Sequence, residues 1–207
     1  EIRDAKYLFS ILYKGKIYSD FSFNMPGKYN LLNAAGAILA CLVNGISINN
    51  IRNGIKSYLG VKRRFDIYIN CNNITYIDDY AHHPNEINSL LSAVKEFYPK
   101  RKILGVFQPH LFSRTRDLMN EFAESLSKFD EVYLLPIYPA RELPINGVNS
   151  SILIQKIRLS KKELIFSPTD LFSHLDFGSK FVLVTIGAGD INEWVPDINN
   201  YIKSYVK

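Results

Sequence analysis

Two short, unbroken apolar runs constrain this chain more than anything else in it: Ile103-Leu104-Gly105-Val106-Phe107 and Phe181-Val182-Leu183-Val184-Thr185-Ile186. Neither alternates apolar with polar residues, so each reads as a strand buried on both faces. Neither is long enough to span a bilayer. Strands are expected near 65–70, 74–78, 102–107, 131–135, 163–166 and 180–186, and helices near 84–97, 114–128, 150–158, 168–174 and 190–205. That alternation predicts an α/β domain with a doubly wound, mostly parallel sheet, its first pair of strands open to an antiparallel arrangement. The longest loop is 138–149, with two prolines and a glycine.

The first sixty or so residues follow another pattern. Residues 5–23 alternate around Tyr13-Lys14-Gly15-Lys16 and predict a hairpin. A helix is expected from about Tyr29 to Asn44, with Leu31, Leu32, Ala35, Ile38, Leu39 and Leu42 on its apolar face. Asn44-Gly45 closes it, and Ser47 caps a second helix carrying Ile48, Ile51, Ile55 and Leu59. A hairpin and two helices bury little core, so this segment reads as the tail of a larger domain. Gly60-Val61-Lys62-Arg63-Arg64-Phe65-Asp66 is a basic hinge between the two patterns.

Chemistry concentrates where strands end. The stretch Ile77-Asp78-Asp79-Tyr80-Ala81-His82-His83-Pro84 takes a buried strand into two carboxylates, two imidazoles and a proline suited to a first helical turn. If strand alternation continues, Asp78 and Asp79 point to opposite sides, and Asp78 can simply cap or brace the turn. Phe107-Gln108-Pro109-His110 leads into Ser113-Arg114-Thr115-Arg116-Asp117, where guanidinium groups at a helix start can grip a carboxylate or phosphate. The competing reading makes Arg116-Asp117 a solvated pair. Gly187-Ala188-Gly189-Asp190 follows the last apolar run, but the third glycine of a dinucleotide fingerprint falls on Asn192. In an open α/β sheet all three clusters belong at carboxyl ends of strands and so face one cleft. A metal site at His82-His83 with Asp78 or Asp79 is disfavoured, because adjacent histidines point apart and no third ligand stands at metal spacing. A phosphate-binding loop and a nucleophile elbow are both missing.

The formal charge of +5 suits anionic ligands, but no basic block marks a nucleic-acid partner. Cys41 and Cys71 lack metal spacing and read as free thiols of a reducing cytoplasm. The charged start has no apolar signal segment and no initiator Met, which suggests a processed or truncated chain.

These motifs together resemble the Mur ligase family. The resemblance rests on Gly27-Lys28-Tyr29-Asn30-Leu31-Leu32-Asn33-Ala34-Ala35, Lys62-Arg63-Arg64-Phe65, Asp78-Asp79-Tyr80-Ala81-His82-His83-Pro84, Phe107-Gln108-Pro109-His110 with Ser113-Arg114-Thr115-Arg116-Asp117-Leu118, and Gly187-Ala188-Gly189-Asp190-Ile191. It covers the chain essentially end to end. Within the family it points to members that add L-alanine to UDP-N-acetylmuramate. The nearest alternative is the tripeptide-recycling ligase, which lacks the 107–118 pattern; a non-catalytic nucleotide-binding module is a further one.

The resemblance implies that residues 1–64 end a central ATP-binding domain and 65–207 form the Rossmann-like C-terminal domain. It implies ATP-dependent, ADP-forming amide ligation in peptidoglycan precursor synthesis, through an acyl phosphate on the lactyl carboxylate. The phosphate-binding loop and magnesium ligands would then lie in missing N-terminal domains, and this piece would be inactive alone. Its partners would be UDP-N-acetylmuramate, L-alanine and ATP, with no nucleic acid and no membrane insertion. By resemblance, Asn30 and Asn33 contact adenine, Arg64 the ATP phosphates, and Asp79 the ribose. Tyr80, His82 and Arg114 line the alanine pocket, with His82 and Arg114 as catalytic candidates. His110 and Arg116 are further substrate contacts. Two positions depart from the family pattern: Tyr29 stands where His is frequent, and Leu111 where Arg is.

Overall fold

The computed structural model describes residues 1–3 and 6–206. Ala5, where the expected hairpin begins, lies outside the described residues, as does Asp4. The chain divides into two compact units, residues 1–61 with 92–99, and residues 62–91 with 100–207.

In the first unit, β1 (Ile2–Arg3), β2 (Lys6–Tyr13) and β3 (Lys16–Phe23) form an antiparallel sheet, with Tyr13 paired to Lys16 across the expected turn. Lys14 and Gly15 both take positive φ there, the geometry of a tight two-residue hairpin loop. Helix α1 (Lys28–Val43) and helix α2 (Ile48–Ser57) follow. Ser47 caps α2 by accepting the Asn50 N–H at 3.4 Å. Phe21, Ile38 and Ile51 are the buried centre of this unit's cluster. The apolar face expected of α1 is only partly used. Ala34 and Ile38 are buried, whereas Leu32 and Leu39 are exposed. Apolar residues occur on more sides of α1 than one packing partner covers.

The second unit opens with β4 (Asp66–Asn70), which pairs antiparallel with β5 (Ile74–Asp79). Then come α3 (Pro84–Phe97), whose residues from Ser92 onward count with the first unit, β6 (Lys102–Phe107), α4 (Phe112–Asp117), α5 (Met119–Leu126), β7 (Glu131–Leu134), α6 (Ser150–Lys156), β8 (Lys162–Leu164), α7 (Pro168–Phe172), β9 (Phe181–Ile186) and α8 (Val195–Tyr205). Among the described residues the sheet order is β4-β5-β9-β6-β7-β8, parallel except at β4. Strand β9 is buried at every position, as an apolar run without alternation requires, and β5 beside it is buried throughout although it ends in two aspartates.

Two expected helices are broken. The segment expected at 114–128 is α4 and α5, separated at Leu118, whose φ of −114° leaves the helical region. The segment expected at 190–205 begins as a 3-10 turn, Asp190–Trp194, before α8. Pro196 has no N–H to give and stands in the first turn of α8, where none is needed.

Strand β9 comes last in the chain and inserts between β5 and β6. Asp79 of β5, Ile186 of β9 and Phe107 of β6 stand in register, so three adjacent strands end level. This reversal of strand order is where open α/β sheets bind ligands.

Candidate functional site

The segments leaving β5, β6 and β9 carry the three polar clusters, and the level strand ends bring them together. Tyr80 and His82 follow β5, and their rings meet edge-on at 5.4 Å. The His82 ring lies 6.3 Å from that of His110, which follows β6. His110 stacks on Tyr138 at 5.5 Å, and Arg114 Nη1 reaches to 3.4 Å from His110 Nδ1.

Hydrogen-bond partners settle which nitrogen of each imidazole carries a proton. Arginine only donates, so His110 Nδ1 accepts and its Nε2 bears the hydrogen. Burial, then the nearby Arg114 and His82, hold the His110 pKa below its ordinary value, while Glu142 pulls it up. His82 has the opposite hydrogen-bond roles. Its Nδ1 lies 2.9 Å from the Tyr80 carbonyl oxygen, which only accepts, so Nδ1 is the donor. In the neutral ring the His82 lone pair is then on Nε2. His83 serves the start of α3. Its Nδ1 accepts the Asn85 N–H at 3.3 Å, and Glu86 Oε2 takes the N–H groups of His82 and His83.

Below this group lies a rigid support. Asp79 Oδ2 accepts the Phe65 N–H and Oδ1 the Ala81 N–H, both at 2.8 Å. Burial raises its pKa to about 6. Asp78 points to the other side, fully buried, and accepts the Thr185 hydroxyl at 2.7 Å. Its pKa is also raised, chiefly by burial. Arg63 Nε stands 3.5 Å from Asp78 Oδ2. The same guanidinium donates to the Gly187 carbonyl at 2.6 Å and lies 4.8 Å from the centre of the Tyr80 ring. One side chain therefore ties the backbone before β4 to β5, to the turn after β9 and to Tyr80.

The 187–190 turn is packed against the start of the β6 cluster. Gln108 Nε2 donates to Asp190 Oδ1 at 2.5 Å, and Gln108 Oε1 accepts the Ile191 N–H at 3.0 Å. A Cβ on Gly189 would meet Gln108 Oε1 and would stand 2.7 Å from Tyr138 Cβ. Close backbone approach explains this glycine. The loop after β7 closes another side: Tyr138 N–H donates to the Pro109 carbonyl at 2.8 Å, and Leu111 N–H to the Tyr138 carbonyl at 2.9 Å.

Tyr80, His82, His110 and Arg114 are thus brought together. Arg116 is not. It is exposed and bonded to Asp117 Oδ1 at 2.7 Å, the solvated pair weighed from sequence. Residues two apart on a helix lie roughly 200° apart around it, so Arg114 and Arg116 leave α4 on opposite sides. Arg64 is exposed at the hinge. Asn30 and Asn33 belong to the first unit, where Asn30 Nδ2 donates to the Pro26 carbonyl at 2.7 Å and Asn33 is exposed. Among the described residues no group of three or more His, Cys, Asp or Glu side chains fits a metal ion, and no helix is long and apolar enough to cross a membrane.

Sequence reasoning missed Arg63, Gln108, Tyr138 and Glu142 as parts of this site. Loop length was the available signal for the last two: a long loop in a compact α/β domain is commonly functional.

Residues 63–189 match the family described as Mur ligase, glutamate ligase domain. The chain is 45% identical over 205 residues to the UDP-N-acetylmuramate–L-alanine ligase of Flavobacterium johnsoniae, covering 99% of this chain and 45% of that protein. It is 48% identical over 197 residues to that of Flavobacterium psychrophilum, covering 95% and 44%. The chain therefore spans about 45% of the length of these curated relatives. The crystal structure of UDP-N-acetylmuramate–alanine ligase from Thermotoga maritima superposes with a TM-score of 0.76 at 28% identity, over 92% of this chain and 41% of that one. The expected mixed α/β fold with a mostly parallel central sheet is the one observed, and the chain belongs to the Mur ligase family.

Proposed function

We propose that this chain supplies the amino-acid side of an ATP-dependent, ADP-forming ligase that joins L-alanine to the lactyl carboxylate of UDP-N-acetylmuramate in peptidoglycan precursor synthesis, in the cytoplasm. One observation carries the proposal: Tyr80, His82, His110 and Arg114 converge where β5, β9 and β6 end level. A guanidinium beside two imidazoles suits a small molecule bearing a carboxylate and an amine, and relatives at 45–48% identity are named for that acceptor.

Each group has a part in the chemistry. When bound, ATP would supply the γ-phosphoryl group that turns the lactyl carboxylate into an acyl phosphate, with ADP as the leaving group. The Arg114 guanidinium takes the alanine carboxylate, helped by neutral His110, whose accepting Nδ1 orients it. The alanine nitrogen attacks the acyl carbon. His82 Nε2 accepts the proton released as the C–N bond forms. His110 Nε2–H is a donor for the oxyanion of the tetrahedral intermediate, which collapses as the C–O bond to phosphate breaks. Tyr80, fixed by Arg63, forms a wall. Arg64 reaches the ATP phosphates. Asn30 and Asn33 serve the adenine. Asp79 holds the hinge with one lone pair of each oxygen and keeps the others for a ribose hydroxyl. Magnesium is a cofactor on this account, but no cluster among the described residues fits it, so no step here runs through it.

The test uses this chain preceded by the upstream region its relatives carry. ADP release is followed with UDP-N-acetylmuramate, ATP and magnesium, and with L-alanine, glycine, L-serine or a tripeptide as acceptor. Turnover with L-alanine supports the proposal. Turnover with the tripeptide alone replaces it with the recycling ligase.

A further inference from the structure

The helix that carries Arg114 has no cap of its own. Helix α4 opens after Leu111, whose φ of 74° and ψ of 133° are strained for a residue with a Cβ, and Leu111 offers no side-chain hydrogen bond to it. Strain of this kind persists only where neighbours over-determine the backbone. Here the neighbours come from the loop after β7. Glu142 Oε2 accepts the Ser113 N–H at 2.9 Å, and Oε1 accepts the Ser113 hydroxyl. The Tyr138 backbone grips residues 109 and 111 from the same loop. A carboxylate at a helix start also meets the unpaired N–H groups there. The Ser113 bonds hold the Glu142 carboxyl below the usual carboxylate range.

We infer that Glu142 is a positioning residue of the acceptor pocket: by clasping Ser113 it holds the strained Leu111 turn, and with it Arg114, in the geometry that receives the acceptor carboxylate. Glu142 acts through Ser113 and does not touch substrate. The inference rests on Arg114 being the carboxylate-binding group.

The test compares Glu142→Ala, Glu142→Gln and Ser113→Ala. Amide hydrogen exchange at Ser113 is read in the 207-residue chain. The L-alanine KM and kcat are read in the enzyme that includes the upstream region. In Glu142→Ala the Ser113 amide exchanges about tenfold faster, and KM rises about tenfold while kcat stays within about threefold. Glu142→Gln keeps the shape and one acceptor, so it falls between wild type and Glu142→Ala. Ser113→Ala keeps the N–H bond and changes least. A folded Glu142→Ala with unchanged KM overturns the inference, and so does a loss of thermal stability with KM unmoved. If Glu142→Ala does not fold, Glu142→Gln is judged by the same two readouts. Wild-type enzyme without L-alanine turnover sinks the ligase reading instead, while Ser113 exchange still decides whether the clasp exists.

Discussion

Arg114 Nη1 lies 3.4 Å from His110 Nδ1, and the contact works only while that nitrogen is unprotonated. His110 titrates below the ordinary histidine value, chiefly because it is partly buried, with Arg114 and then His82 adding to the shift and Glu142 opposing it. The unfolded chain binds the proton more readily than the folded one between the two pKa values. Stability from this site is thus complete above the unfolded value, near 6.5, and declines as pH falls toward the folded value. NMR titration of the imidazole checks this directly. Arg114→Ala should move the His110 pKa upward.

His82 should act through Nε2 alone. In His82→Asn the amide can still donate to the Tyr80 carbonyl, but the lone pair of Nε2 is gone. The expected loss is about 10²- to 10⁴-fold in kcat, with the L-alanine KM little changed. Steady-state kinetics at saturating L-alanine reads it.

Arg63 and Asp78 form a buried pair whose loss should be felt in stability. The Asp78 side chain is 1% exposed, and Arg63 is its cationic neighbour at 3.5 Å. Arg63→Met also removes the donor to the Gly187 carbonyl. The expected cost is about 3–5 kcal/mol in denaturant unfolding. The Arg63→Met, Asp78→Asn double variant should recover part of it, because no buried carboxylate is then left alone.

Gly189→Ala tests the packing of the last turn on its neighbours. The added methyl must displace Gln108 or Tyr138. Thermal unfolding should show a loss of about 1–3 kcal/mol, typical of overpacking.

The sheet was legible in the sequence because its central strands are apolar at nearly every position, which one arrangement satisfies. The polar clusters were legible because they stand where such strands end. Arg116 stands apart from Arg114 because a motif gives order along the chain, whereas helical rotation decides which of two arginines lies beside His110. Arg63 was missed because nothing in Lys62-Arg63-Arg64 says which arginine folds back over Asp78 and which stays exposed. The long-range bonds that make Gln108 and Glu142 part of the site join residues far apart in sequence, and no local pattern encodes them.

On the proposed function, Arg114 binds the carboxylate of the amino acid being joined. The most direct measurement of that role is the L-alanine KM of Arg114→Ala against wild type, in the enzyme that includes the upstream region. Loss of a charge-assisted bond predicts a rise of roughly 10- to 100-fold in KM, with the KM values for ATP and UDP-N-acetylmuramate unmoved. An unchanged L-alanine KM and kcat would contradict the account.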